Sequence, residues 1–333
     1  MSTLATTNPT LADLAKRSDP DGKIAMVAEL LNETNEVLDD MVWKEGNLPT
    51  GHRTTIRSGL PTPTWRKLYG GVQPTKSTTV QVTDNTGMLE AYAEVDKALA
   101  DLNGNTAAFR LSEDKAHIEG MSQELASTLF YGNEGTEPEA FTGFGPRFND
   151  STAENGENMI NGSGSGSDNT SIWLVGWGEN SCYGIVPKGS TAGLQQQDLG
   201  EVTIGTESTG YYQGYRTHYR WDAGLTVKDW RYIVRICNID VSNLTKDASS
   251  SSADIIDLMT QSLELVPSLQ GVRPVFYCNR TIKSFLRRQT VNKVASSTLT
   301  MDMVGGKKVQ FFDTVPVKRC DAILNTESAI TFA

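Results

Sequence analysis

An α+β fold is predicted by three features of this 333-residue sequence. Before residue 132 apolar residues recur at helical spacing, and beyond residue 172 period-two alternation dominates. Strand-like segments also occur within 46–86 and two helical segments follow residue 172, so helices and strands are mixed along the chain. The length suits two lobes or one elaborated lobe. Hydrophobic residues make up 38% and charged residues 21%, enough to bury a core. Forty acidic against thirty basic residues give a net charge of −10, which argues against a dedicated nucleic-acid reader and against docking on anionic membrane. The first ten residues lack the basic-then-apolar pattern of a secretory signal, and no 18 apolar residues run together to span a bilayer.

Residues 1–22 are polar and read as an N-terminal arm, in which Thr10 and Asp13 could cap a short helix through Lys16. Ile24, Val27, Leu31, Leu38 and Met41 form one apolar stripe, so 23–45 is read as a helix that stops before Gly46 and Pro49. Residues 46–86 are rich in Gly, Pro and Thr and poor in large apolar side chains, which predicts a long two-stranded β excursion. Region 87–171 follows. Met88, Tyr92, Val95, Leu99 and Leu102 have helical spacing up to Asn103-Gly104, and a second helix begins at Ser112 and stops at Gly132. The tract 151–171, with Asn161-Gly-Ser-Gly-Ser-Gly-Ser-Asp168, carries too little apolar surface to pack and is expected as a flexible loop. No strand–turn–helix context makes it a phosphate cradle.

Residues 172–333 read as a β-rich and α/β region. Tyr215 to Trp221 and Trp230 to Ile236 alternate as two strands, with a turn at Asp222-Ala-Gly224. A helix over 253–266 takes Ser252 as its cap, Val275–Cys278 is a buried strand, and Thr281–Gln289 is a helix. Strands at 308–313 and 315–324 close the chain.

No catalytic motif emerges. The histidines, His52, His117 and His218, lie far apart, and there is no HExxH, GxSxG or Walker loop. The cysteines, Cys182, Cys237, Cys278 and Cys320, are separated by 55, 41 and 42 positions, which makes no zinc site and fits buried reduced thiols. No cofactor is expected.

The order of features resembles a known family. It comprises the polar arm, the extended loop, a long helix ending in Gly132-Asn-Glu-Gly-Thr136, then Phe141-Thr-Gly-Phe-Gly-Pro-Arg147, and a terminal Pro316-Val-Lys-Arg-Cys-Asp321. Together these are similar to the major capsid proteins of tailed bacteriophages, most of all those of short-tailed phages. The resemblance implies the tailed-phage coat (Johnson) fold, with a peripheral domain, an axial domain, an extended loop and an N-terminal arm. It implies a non-enzymatic subunit that assembles as pentamers and hexamers into an icosahedral virion head around DNA, in the bacterial host cytoplasm. The implied partners are further copies of the chain, a separate scaffolding protein, a portal, a cement or decoration protein, and DNA contacted without sequence preference. A coat-fold nanocompartment enclosing enzyme cargo is the alternative, and a soluble enzyme the remote one.

The charge distribution agrees with a shell protein, which needs surfaces complementary to other copies of itself. Residues 46–83 carry Arg53, Arg57, Arg66, Lys67 and Lys76 and no acid. Residues 84–139 carry twelve acids, including Glu113, Glu119, Glu134 and Glu137, against three bases. These nine residues are the candidate inter-subunit contacts. A third block, 269–301, has no acid and holds Arg273, Arg280, Lys283, Arg287 and Arg288, facing either DNA or a neighbouring subunit.

Overall fold

The computed structural model describes residues 9–10, 13, 33–102, 106–207, 210–244, 254–292, 299–304 and 307–332. Most of the arm and most of the helix expected over 23–45 lie outside the described residues. Thr10 donates to the Asp13 carboxylate through both its N–H and its hydroxyl, so the hydroxyl does not act as the cap acceptor, and the rest of the helix expected through Lys16 lies outside the described residues. The described part of the expected helix is the single turn α1 (Val37–Asp40). Residues 43–45 are not helical but form β1 (Trp43–Glu45), laid parallel beside Gly184–Val186.

The excursion is present as β2 (Gly51–Gly59) and the first part of β3 (Thr78–Asp96), antiparallel from Gly51 opposite Asn85 to Gly59 opposite Thr78. β3 then continues where a helix was expected over 88–102. The apolar spacing there fits a helix, but Leu89, Ala91, Ala93 and Val95 also alternate at period two. The sheet takes that second pattern: Ala93 and Val95 are buried, while Met88 and Tyr92 are exposed. Only α2 (Lys97–Asp101) is helical, capped by Asp96, whose carboxylate accepts from Ala98 N at 2.8 Å.

The long helix α3 (Thr106–Tyr131) begins six residues before Ser112 and runs 26 residues, about 39 Å. Its buried stripe is Phe109, Met121, Leu125, Ala126, Leu129 and Phe130. It ends at Gly132, and a short α4 (Phe144–Arg147) follows. The close return of the chain explains the glycines of the Gly132…Gly143 motif. Gly143 N donates to Gly132 O at 2.8 Å, and a Cβ on Gly143 would meet the carbonyl oxygens of Thr128 and Leu129 at 2.5 Å.

The tract 151–171 is folded, not a free loop. It forms a 3-10 turn (Glu154–Asn158), β4 (Met159–Asn161) and the start of β5 (Asn169–Trp177). It packs through hydrogen bonds in place of apolar area: Gly162 N and Gly164 N donate to Cys237 O and Asn238 O, and Asn158 donates to Ile233 O. Next come β6 (Cys182–Val186), β7 (Gln195–Thr206), β8 (Gly210–Val227) and β9 (Ile233–Asp240). β8 runs straight through Asp222-Ala-Gly224, so no turn forms there. Asp222 is instead buried, accepting from Arg220 Nε at 2.9 Å and the Ser190 hydroxyl at 3.0 Å. Residues 230–232 are a 3-10 turn leading into β9. The chain closes with α5 (Ile255–Leu265), capped by Asp254; β10 (Arg273–Cys278); α6 (Arg280–Asn292); β11 (Leu299–Val304); β12 (Lys307–Phe312); and β13 (Val315–Arg319). The expected cap Ser252 lies outside the described residues, and the last strand ends five residues before the expected 324.

β5 lies between β9 and β10, and alternate residues of the three strands feed two cores. Trp173, Val175, Trp177, Ile233, Val275 and Tyr277 pack toward α3 and the Phe141/Phe144/Phe148 cluster. Leu174, Val234, Ile236 and Phe276 pack toward α5 and α6. Because both faces are covered, these strands read as nearly unbroken apolar runs.

Candidate assembly surfaces

The β2–β3 excursion is anchored at its base and bare at its tip. At the base, buried Asp84 accepts from Arg147 at 2.8 Å, and Arg147 also donates to the Thr142 and Leu225 carbonyls. His52 lies across from Asp84 in the ladder; its Nδ1 accepts from Asn47 N and its Nε2 sits 3.1 Å from the Tyr183 hydroxyl. Burial holds His52 below its ordinary pKa against the opposing pull of Asp84, with help from Lys44 and Lys228. Asn47 clamps both the N–H and the carbonyl of Arg53 at 2.8 Å. Nine residues of strand carry the tip about 30 Å from this base.

At the tip, Trp65 and Tyr69 are wholly exposed (102% and 104%), and Leu60 and Leu68 nearly so. Arg53, Arg57, Arg66, Lys67 and Lys76 are all exposed, and among the described residues none of them forms an ion pair. Among the described residues the Arg53 guanidinium makes one hydrogen bond, to the Thr83 hydroxyl at 3.3 Å.

A groove of about 410 Å³ lies where the chain just beyond the loop base meets α3. Its apolar lining includes Leu89 of β3, Leu125 of α3, Phe141 and Trp221 of β8, and its rim carries Glu124, Glu137 and Glu139. Trp221 Nε1 is buried there without a partner. Of the acids singled out from sequence, only Glu137 is on this rim. Glu134 accepts from Asn85 at the loop base. Glu119 lies further along α3, accepting from Glu33 N at 3.0 Å and Gln123 at 2.9 Å. Glu113, nearer the start of α3, is half-buried and does not line the groove. Glu124 and Glu139 belong to the same acidic stretch, but only the fold distinguishes them from its other acids.

The basic block is partly neutralised within the subunit. Arg273 lies 3.7 Å from Asp40, Arg280 4.0 Å from Asp321, and Lys283 3.6 Å from Glu36. The Arg288 guanidinium sits 4.1 Å from the centre of the Phe285 ring. Arg287 is exposed. All four cysteines are buried and free; burial raises the Cys237 thiol to about 11 and those of Cys278 and Cys320 to about 12, leaving them protonated and inert. Among the described residues no group of His, Cys, Asp and Glu could hold a metal, and no helix is long and apolar enough to cross a membrane.

A sequence profile described as "Major capsid protein GP7" matches residues 19–331. The chain belongs to that capsid protein family. It is similar to the chain of the cryo-EM structure of bacteriophage Epsilon15, with 39% identity, full coverage of both chains and a TM-score of 0.76. More distant likenesses are the bacteriophage JBD30 capsid (8% identity, 88% of this chain and 93% of that one, TM-score 0.49) and the encapsulin SrpI of Synechococcus elongatus PCC 7942 (10%, 72% and 100%, 0.46). No curated protein matches. The capsid protein therefore has the mixed helix-and-sheet coat fold expected from its sequence, and it builds an icosahedral phage head, a structural role.

Proposed function

We propose that the capsid protein assembles into pentamers and hexamers by seating the aromatic, basic tip of its β2–β3 excursion in the acid-rimmed groove of a neighbouring subunit. The observation that carries this reading is the pair of wholly exposed aromatic rings at the end of a long arm. A subunit gains nothing by holding Trp65 and Tyr69 in water, whereas burying each such side chain against a neighbour contributes about 1.5–3 kcal/mol. The exposed cations and rim carboxylates contribute only about 0–1 kcal/mol per pair, so they set register and approach. Residues 87–171 then serve as the peripheral region, and 172–333 as the axial domain plus strands returning to the peripheral one. A separate scaffolding protein, a portal and a cement protein complete the head, which is built in the host cytoplasm around DNA.

Trp65→Ser and Arg66→Glu test the loop contact. Trp65→Ser should abolish shells in negative-stain micrographs, while circular dichroism and thermal unfolding of the subunit stay unchanged. Arg66→Glu should slow assembly most at low salt. Normal shells from Trp65→Ser would refute the reading.

A further inference from the structure

A second cavity, about 450 Å³, opens between α6, the β11–β12 hairpin, the segment at 34–36 and the end of β13. Arg280, Lys283, Ser284 and Arg287 line it from α6. Their spacing of three, four and seven places all of them on one helix face. Arg319 enters from the end of β13, and Gln310 from β12, directly opposite Met301 in the ladder and on the same face. Gln310 is 5% exposed, and its Nε2 has no hydrogen-bond partner among the described residues.

The cations here exceed the available carboxylates. Lys283 has Glu36 at 3.6 Å, while Arg280 and Arg319 share Asp321. Glu33 and Glu36 add weaker attraction on Arg319. Arg287 has no partner among the described residues. Among the described residues the cavity therefore presents a guanidinium without a partner and a hydroxyl from α6, with further cations around them and the buried Gln310 amide in its wall. Donors converging from several directions match an anion with several acceptor oxygens, which is a tetrahedral phosphate more than a planar carboxylate. A buried donor without an acceptor is costly to keep, so its persistence in this cationic wall points to a ligand that supplies the acceptor.

We infer that this cavity binds a phosphate group. Two sources offer that chemistry: free phosphate, and the backbone of the DNA inside the head. The site reads no bases, since it contains only phosphate-type contacts.

The test uses the full-length unassembled subunit with two probes: inorganic phosphate followed by thermal shift, and a labelled 20-base-pair duplex followed by anisotropy across a salt series. Arg287→Glu and Gln310→Leu are the variants, each first checked for native circular dichroism. Phosphate should raise the midpoint of the parent protein, and both variants should abolish that rise. If the source is DNA, Arg287→Glu should weaken duplex binding about tenfold and flatten the salt slope by about one ion. Gln310→Leu should weaken it without changing the slope, because it removes a neutral donor. A phosphate response that both variants abolish, with duplex binding untouched, would assign the site to free phosphate. The inference is overturned if phosphate produces no shift, or if the shift persists in a folded Arg287→Glu. Polyglutamate binding at this site where phosphate does not would equally overturn it, showing a peptide site.

Discussion

The C-terminal segment is fastened by a buried ion pair whose removal should be costly. Arg235 on β9 and Glu327 lie 2.8 Å apart with side chains only 6% and 5% exposed. Arg235 also donates to Phe148 O at 2.8 Å and to the Ser171 hydroxyl at 3.2 Å, and stacks over Trp173 at 5.0 Å. Glu327 accepts in addition from the Tyr131 hydroxyl at 2.6 Å and from Ser171. Arg235→Met removes every polar contact of the guanidinium and leaves a buried carboxylate with two neutral donors. That should destabilise the subunit by about 3–5 kcal/mol, a large part of the roughly 5–15 kcal/mol that holds a domain together. Glu327→Gln should cost a similar amount by stranding the guanidinium. The double variant distinguishes pairing from mere packing. If the energy resides in the pair, the double should cost no more than either single, because the amide oxygen of Gln can still accept from Tyr131. Urea unfolding of the unassembled subunit, followed by tryptophan fluorescence, measures all three. The midpoints should be nearly insensitive to salt, since the pair is screened from solvent. A loss below about 1 kcal/mol for Arg235→Met, or strict additivity in the double variant, would refute the argument.

Two further expectations concern the helix end and the loop base. Gly143→Ala places a methyl group against the Thr128 and Leu129 carbonyls; it should cost about 1–3 kcal/mol in the same urea assay, and an unchanged midpoint would show that the turn can move away. His52 binds its proton less readily in the folded state than its ordinary value of 6.5, so its contribution to stability is level above that pH and declines as the pH falls below it. Intrinsic-rate-corrected hydrogen exchange in β2 should therefore accelerate on going from pH 6.5 toward about pH 5, and His52→Gln should remove that acceleration.

The long elements and the excursion were legible because each depends on a local pattern. The buried stripe of α3 from Met121 to Leu129, the stop at Gly132 and the stop of β10 at Cys278 follow from spacing and punctuation, whereas α6 runs three residues past the expected Gln289, to Asn292. In β3 Val95 satisfies both periodicities, and only the eleven-residue pairing with β8, from Thr86 opposite Gly224 to Asp96 opposite Gly214, decides between them. Tract 151–171 differs from its sequence reading for another reason. Its polarity suggests inability to pack, but short Asn and Gly residues pack by satisfying the backbone of β9, and that partner lies about 75 residues downstream. Asp222 shows the same limit: Asp-Ala-Gly is a turn signal, unless a neighbouring Arg220 and Ser190 make it worth burying the carboxylate inside a strand.

Charge segregation was visible in the sequence, but its meaning depends on which charges the fold has already paired. The basic block 269–301 looked like the loop's cationic run, with no acid nearby in sequence. The fold supplies acids to it from the distant segments at 36–40 and 321, so Arg273, Arg280 and Lys283 have partners inside the subunit. The loop cations have none among the described residues, and they surround apolar side chains that are also uncovered. An exposed cation alone says little, because water solvates it at no cost. An exposed cation beside a bare tryptophan is different: the apolar surface is unfavourable in water and requires a cover, and the cation limits that cover to acidic surfaces. By that criterion the partner we propose for the loop tip is another protein surface. For the α6 cavity, where Arg287 has no partner among the described residues and the Gln310 amide nitrogen is buried without one, the occupant we propose is an anion.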